Sequence, residues 1–376
     1  MKILHFSDTH LGYSDLNILG QNGTNQREAD FYDAFSKVVE EIKVIRPDYI
    51  IHTGDLFHKV SPSNMAIEFA IDKISEIDEL GIPFIMIAGN HCTPKSNTST
   101  PILGCFKIFK NVYIAYKQQY ELFDEFEDVV FHCLPHINDS NKALKQIELC
   151  EKNIKSDKIN IMLMHCTVGA SWSMDEYGEW CYPENKEYIF EEMDYVALGH
   201  WHGFSNVGKH KNVYYSGSTE RTSLNDTRNE KGFIIADIFK NQDPKVEFKN
   251  INIRPFYEFN IDCDKYEEDM DKINLNVIKD AICIVNLNNL TTTSSINIKN
   301  IDIKNRLKDA LYVYIKRNLV DNLDDMIDIN IESSSLKEQF LEFIEKEASS
   351  DKHENEIIEK VKELFDSHEE DYNEAN

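Results

Sequence analysis

Short apolar runs alternate with amphipathic stretches through the first 250 residues. KILHF (2–6), YIIHTG (49–54), PFIMIAG (83–89), INIMLMH (159–165) and YVALGH (195–200) are β-branched or aliphatic and of strand length. Their polar positions do not alternate, which predicts strands buried on both faces and sharing a sheet. Between them lie helical patterns. In READFYDAFSKVVEEIKVIRPD, Phe31, Phe35, Val38, Val39, Ile42 and Ile45 recur at three- and four-residue spacing up to Pro47. SPSNMAIEFAIDKISEIDELG offers Ser61 as N-cap, Pro62 at the first helical position and Gly81 at the C-terminal end. The alternation predicts an α/β domain over 1–250.

The pattern changes near FKNINIRPF (248–256). Residues 251–330 contain no Gly and carry a strand-like AICIVNLNNL and a helix-like KNRLKDALYVYIKRNL, which predicts a small α+β domain. Residues 331–376 predict a pair of amphipathic helices joined by ASSDKHEN. Leu336, Phe340, Phe343 and Ile344 form one stripe, and Ile357, Ile358, Val361, Leu364 and Phe365 the other.

Composition narrows the setting. Hydrophobic residues make up 41%, enough for a real core, and 376 residues suggest two or three domains. Eight scattered cysteines without a C-x-x-C pair argue against a disulfide scaffold or zinc ribbon, so a reducing, intracellular (cytoplasmic, nucleoid-associated) setting is expected. No apolar run approaches the roughly 18 residues of a membrane span, and MKILHFSDTH does not read as a signal peptide. The net charge of −26 argues against broad electrostatic binding of nucleic acid, unless bound cations invert the local field. Much of that charge sits at the end: Glu332 to Asn376 holds fifteen acidic and five basic residues.

The polar ends of the five apolar runs carry the chemistry. They are HFSDTH (Asp8, His10), HTGDLFH (Asp55, His58), IAGNH (Asn90, His91), LMHC (His165) and LGHWH (His200, His202). Ligands of α/β folds gather beyond the carboxyl ends of strands, so a shared sheet would bring the five sets to one rim. In DTH and HWH, two donors one residue apart in extended chain would project to the same side. Gly54, Gly89 and Gly199 precede proposed donors, where a residue without Cβ permits a sharp turn and close approach. Carboxylate, amide oxygen and imidazole without thiolate favour Mn²⁺ or Fe²⁺, with Mg²⁺ or Zn²⁺ also possible. Seven ligating side chains from these sets would exceed the needs of one ion, so two metals sharing a carboxylate are expected. Among the other histidines, His5 and His52 are expected in the core, His132, His136 and His210 at the surface or in packing, and His353 and His368 in solvent. Cys92 and Cys166 are expected as small buried hydrophobes.

The ordered set D-x-H, G-D-x-x-H, G-N-H, H, G-H-x-H over Asp8 to His202 resembles the signature of the calcineurin-like metallophosphoesterases. The opening ILHFSDTHLGY, the small second domain and the terminal helical pair resemble one branch of it: the nuclease subunit of the DNA double-strand-break repair complex, the archaeal and eukaryotic relative of bacterial SbcD. The resemblance implies a β-sandwich flanked by helices (αββα), a small α+β capping domain and a C-terminal helical pair. It implies two Mn²⁺, with Mg²⁺ or Fe²⁺ possible instead: Asp8, His10 and His202 on one, Asn90, His165 and His200 on the other, and Asp55 bridging. His91 would be catalytic, and His58 would help orient the phosphodiester. A departure is Cys92, where the family commonly has an acidic residue that orients the catalytic histidine. The implied activities are 3′→5′ exonuclease on double strands and endonuclease on single strands. The implied partners are DNA, a coiled-coil ABC-type ATPase docked on 331–376, and a second copy of the chain through segments near 62–79 and 101–110. Tyr13, Lys59, Lys95, Trp172, Trp201 and Arg221 lie in loops beside the donor sets and are candidates for DNA contact. Trp172 and Trp180 flank an acidic loop, SMDEYGEW, that is poorly suited to DNA unless a partner covers it. The alternative is a phosphodiesterase or phosphomonoesterase for small substrates, with the same metal pair and no use for the terminal helices.

Overall fold

Each of the five apolar runs forms a strand, but they divide between two sheets rather than sharing one. The computed structural model describes residues 1–20, 23–95, 99–169, 180–224, 226 and 230–320. The first sheet contains β1 (Lys2–Phe6), β2 (Tyr49–His52), β3 (Phe84–Ile87), β4 (Val112–Ala115), β11 (Gly232–Asp237) and β12 (Lys245–Asn250), in the order β12-β11-β1-β2-β3-β4. The second contains β5 (Glu121–Phe123), β6 (Val129–Leu134), β7 (Ile159–His165), β8 (Tyr195–Gly199), β9 (Ser205–Asn206) and β10 (Val213–Tyr215), in the order β5-β6-β7-β8-β10-β9. Strands β1 to β4 are parallel, as are β6, β7, β8 and β10; β11, β12, β5 and β9 add antiparallel edges.

Side-chain alternation along the strands builds four layers. Ile3, Ile51, Ile85 and Ile87 meet Phe131, Ile161, Leu163 and Ala197 between the sheets. On the outer side of the first sheet, Leu4, Phe6, Ile50 and Phe84 pack against helices α1 (Gln26–Ile45) and α2 (Asn64–Asp78). On the outer side of the second, Met162, Met164, Val196 and Leu198 pack against α3 (Ser140–Lys152) and the 3₁₀ segment Glu184–Glu192. A run buried on both faces gives no clue to its sheet, which is why the sequence pattern suggested a single one. The observed arrangement is αββα, a sandwich flanked by helices.

Helix α1 follows its predicted face: Phe31, Phe35, Val38, Val39 and Ile42 are fully buried. Asn25 caps it by accepting from the N–H groups of Arg27 and Glu28, and Arg46, at φ 49°, ends it before Pro47. Helix α2 departs from expectation. Ser63, not Ser61, is its N-cap, accepting from Ala66 N at 3.2 Å, so Pro62 lies outside the helix. Both serines in SPS can cap; the burial of Ala66, Ala70, Ile74 and Ile77 selects the one that starts the apolar face.

A third sheet, β13-β14-β15, follows: β13 (Phe256–Asp262), β14 (Ile282–Leu290) and β15 (Tyr312–Leu319). The segment expected to be one helix splits. Its start belongs to α6 (Asn300–Arg306), whereas Tyr312–Leu319 is strand β15. The aromatic and β-branched run YVYI has both periods within reach, and pairing within the third sheet decides between them. Short helices α4 (Tyr266–Asp271), α5 (Thr292–Asn297) and α6 complete this layer; Met270 and Ile303 pack with Cys283, Val285 and Leu287. Phe256, Ile282 and Ile284 point the other way, to Leu16 and Leu224 of the first domain's loops. Met1–Asn318 forms one compact unit. The helical pair predicted for 331–376, His353 and His368 lie outside the described residues. Among the described residues no helix is long and apolar enough to cross a membrane.

Candidate metal centre

The loops after β1, β2, β3, β7 and β8 meet at one edge of the sandwich, although they come from two sheets. The chain after β1 runs beside the chain after β2: Asp8 N donates to Gly54 O (3.0 Å), His10 N to Asp55 O (3.0 Å) and Leu11 N to Leu56 O (2.8 Å). From the other sheet, His165 Nδ1 donates to Thr53 O at 2.7 Å, and His200 N donates to the Asp8 carboxylate at 3.1 Å. These bonds close the two sheets around the site.

The extended backbone expected of DTH and HWH is absent. Asp8, His10, Asp55 and His200 instead adopt φ of 51°, 43°, 54° and 92°. Positive φ is uncommon for residues with a Cβ and stores strain that the surrounding fold must offset. The expected donors themselves therefore make the sharp turns. Of the three flanking glycines only Gly54 has positive φ, 108°; the others supply room. A Cβ on Gly89 would lie 2.2 Å from Asp55 Oδ1, and one on Gly199 would lie 2.2 Å from Ser7 Oγ and Thr53 O.

Two donor groups result. His10 Nε2 and His202 Nε2 stand 3.1 Å apart, with Asp8 Oδ1 at 3.9 and 3.8 Å. In the second, His165 Nε2 is 2.9 Å from Asn90 Oδ1 and 3.3 Å from Asp55 Oδ2. Ligand atoms of Asp8, Asp55 and His165 lie within 4.8 Å of one another, so the two groups share a carboxylate edge. The His200 ring is 5.3 Å from that of His165. Asp55 also accepts from His91 N at 2.9 Å, which ties the G-N-H turn to the site.

Electrostatics suit a cation. Burial holds His10 well below the usual imidazole value and pushes His202 down to about 3, leaving neutral rings with lone pairs. Burial also pushes Asp8 up to about 6, partly offset by His165. For Asp55 burial opposes ionisation, but His165, His10 and His91 together hold the carboxyl below the ordinary range. Burial works against protonation of His165 too, yet Asp55 raises it to about 9. One proton on Nε2 thus sits among the oxygens of Asn90 and Asp55, where a divalent cation would replace it. Facing imidazole nitrogens beside a buried carboxylate, with no thiolate, fit two hard or borderline cations.

His91 and His58 stack at 5.2 Å beside His10, and atoms of the three rings lie within 4.8 Å. His91 Nδ1 is 2.8 Å from His58 O; a carbonyl only accepts, so Nδ1 carries the proton and Nε2 is left for chemistry. The backbone carbonyl does the orienting here. Cys92, fully buried, accepts from Phe57 N (3.4 Å) and so braces the loop that presents this carbonyl.

The candidate DNA contacts divide. Trp201, Lys59 and Lys95 are exposed, Trp201 at 58%. Tyr13 packs its ring on Phe31 and His58, and its hydroxyl donates to Thr222 O. Arg221 is turned inward: Nε donates to Asp226 O and Nη1 to Arg254 O. Trp172 lies outside the described residues, and Trp180 is core. His5 and His52 are fully buried as expected, and His132 and His136 are packing residues. Sequence reasoning missed Thr222, whose Oγ1 lies 2.8 Å from His202 Nδ1, and Lys231, whose Nζ donates to His202 O at 2.7 Å. The only trace of Thr222 in the sequence is the polar run SGSTERTS directly after a strand, and Lys231 lies beyond it.

Comparison with known proteins follows the same residues. The family description of calcineurin-like phosphoesterases matches residues 1–204. The DNA double-strand break repair protein Mre11 of Methanococcus maripaludis is 27% identical over 365 residues, covering 92% of this chain and 90% of that protein. Mre11 of Thermoplasma acidophilum is 29% identical over 279 residues, covering 72% and 70%. A component of the nuclease SbcCD of Staphylococcus epidermidis is 28% identical over 324 residues, covering 80% of each.

Proposed function

The chain belongs to the calcineurin-like phosphoesterase family, and on that premise we propose that it is the Mn²⁺-dependent nuclease of a DNA double-strand-break repair complex. The observation that carries the reading is the meeting of Asp8, His10, Asp55, Asn90, His165, His200 and His202 at one edge, with His91 beside them. The relatives named for break repair and for the nuclease SbcCD extend along most of the chain, which supports DNA as the substrate rather than a small ester.

Asp8, His10 and His202 would hold one cation and Asn90, His165 and His200 the other, with Asp55 between. A metal pair supplies Lewis-acid activation of water and a clamp on phosphodiester oxygens. The protein's own groups do the rest. Thr53 O fixes the ring of His165 through Nδ1, so Nε2 faces Asn90 and Asp55. His58 O fixes the ring of His91, so Nε2 is the atom that exchanges a proton with the ester. The His58 ring, stacked on His91, lines the path of the strand, and Trp201, Lys59 and Lys95 stand exposed for bases and phosphates. The proposed activities are 3′→5′ exonuclease on duplex ends and endonuclease on single strands. A coiled-coil ABC-type ATPase docked on 331–376 and a homodimer complete the proposed assembly.

The test is incubation of a labelled linear duplex with the pure chain in Mn²⁺, in Mg²⁺ and in chelator, beside an aryl phosphomonoester. Shortening from 3′ ends with Mn²⁺ is the expected result. An intact duplex beside rapid monoester hydrolysis would overturn it in favour of a small-substrate phosphatase.

A further inference from the structure

His202 is held from behind by one short segment. Thr222 Oγ1 meets its Nδ1 at 2.8 Å, Lys231 Nζ donates to its carbonyl at 2.7 Å, and Ser218 N donates to the same carbonyl at 3.2 Å. With Nδ1 donating to Thr222, His202 keeps its Nε2 lone pair toward His10. Thr222 is in turn gripped: its carbonyl accepts from Tyr13, and the preceding carbonyl, Arg221 O, accepts from Arg27 Nη2 at 2.7 Å.

Arg27 is 2% exposed and also pairs with Asp30 (2.7 Å) and Glu220 (3.2 Å). The other side of Asp30 is occupied from the segment that leads into the third sheet. Arg254 donates to both Asp30 oxygens at 2.7 Å through Nε and Nη2, while its Nη1 donates to Asp280 O at 2.6 Å. Phe256, the first residue of β13, lies under both guanidiniums, 5.1 Å from Arg27 and 5.2 Å from Arg221. Charge-assisted bonds therefore run from the segment before β13, through the start of α1, to the carbonyl of Arg221, and a neutral hydrogen bond from the next residue, Thr222, reaches the ring of His202. Bidentate arginine–carboxylate pairs are directional as well as strong, so displacement of Arg254 reorients Asp30 and Arg27.

We propose that Thr222 is the positioning residue of His202 and that the Arg27–Asp30–Arg254 cluster sets Thr222, so that the seating of the third sheet is read at one side of the metal pair. The inference rests on the reading that the site holds two cations. Outer partners of ligating histidines fix ring orientation and typically matter about 10- to 100-fold in metal affinity. Coupling of this kind is reciprocal: a seated sheet favours the cation at His202, and that cation favours a seated sheet.

The experiment titrates Mn²⁺ into the full chain and reads free Mn²⁺ by electron paramagnetic resonance, with amide exchange of β13 and β14 followed in parallel. Thr222→Val should weaken one of two Mn²⁺ about 10- to 100-fold, and Thr222→Ser should restore it. Arg254→Met leaves Arg27 balanced by Asp30 and Glu220, so it should fold, and it should weaken the same ion about tenfold. Should it not fold, Arg254→Lys keeps the charge without the fork and carries the same expectation. Mn²⁺ should slow exchange near Phe256 and Ile282 in the unaltered chain and not in Thr222→Val. Unchanged Mn²⁺ affinity in Thr222→Val, or in a folded Arg254 variant, overturns the coupling. A chain that shows all these metal responses yet leaves DNA intact overturns the nuclease reading and leaves this inference standing.

Discussion

At the scale of single residues, four of the expected metal ligands sit in left-handed backbone. Asp8, His10, Asp55 and His200 combine positive φ with burial or partial burial, a strain that the packing around the site offsets. His91 differs from them in what holds it. Its Nδ1 is fixed by a backbone carbonyl, its backbone N–H donates to Asp55, and its ring stands edge-on to that of His10. His91→Ala is therefore expected to leave two bound Mn²⁺ while cleavage falls by about 10²- to 10⁴-fold, the usual share of a proton-transferring group. Metal counting and duplex cleavage on the same preparation check it. Loss of an ion would make His91 a ligand instead. The residues legible from spacing were those in the five donor sets. Thr222 and Lys231 were not, because a side chain that supports a ligand from another loop leaves no fixed spacing in the chain.

At the scale of elements, the periodic pattern found the five strands that end in the donor sets, β14 and α1, but misplaced two boundaries. For α2 the difference has a measurable consequence. Ser63→Ala should destabilise the chain by about 1 kcal/mol, whereas Ser61→Ala should change stability by less than about 0.5 kcal/mol. Urea midpoints of the two variants decide it; the reverse order would place the cap at Ser61. The misread segment 304–319 has a different origin. Its first three residues end helix α6 and its second half is strand β15, and a single-period reading cannot find a switch that occurs within sixteen residues.

At the scale of the whole molecule, buried histidines make stability depend on pH. Burial lowers His5 and His52 to about 3 and His132 and His136 to about 4. Unfolding returns them to about 6.5, so between these values the unfolded chain binds more protons and stability falls as pH falls. Each contributes up to about 1.4 kcal/mol per pH unit in that window. Asp8, raised by burial to about 6, opposes them by one proton down to its ordinary value of 3.8, too little to reverse four histidines. In chelator, the urea midpoint should drop steeply from neutral pH to about pH 4.5. A flat profile would mean that these histidines are charged in the fold. The net charge of −26 belongs to this scale too: on the proposed reading, cations bound at the site would have to offset it for a phosphodiester to bind.

The chain by itself determined the α/β class, the five donor sets, their order and the resemblance they carry, because strand burial and ligand chemistry are local and leave a pattern in adjacent residues. Tertiary structure alone decided that the strands divide between two sheets, that left-handed turns rather than extended backbone aim Asp8, His10 and His200, and that Arg221 faces inward. It also decided that a buried ionic cluster links the third sheet to His202. Such features depend on contacts between segments far apart in the chain, where each partner is ordinary on its own and only the geometry of their meeting gives it a role.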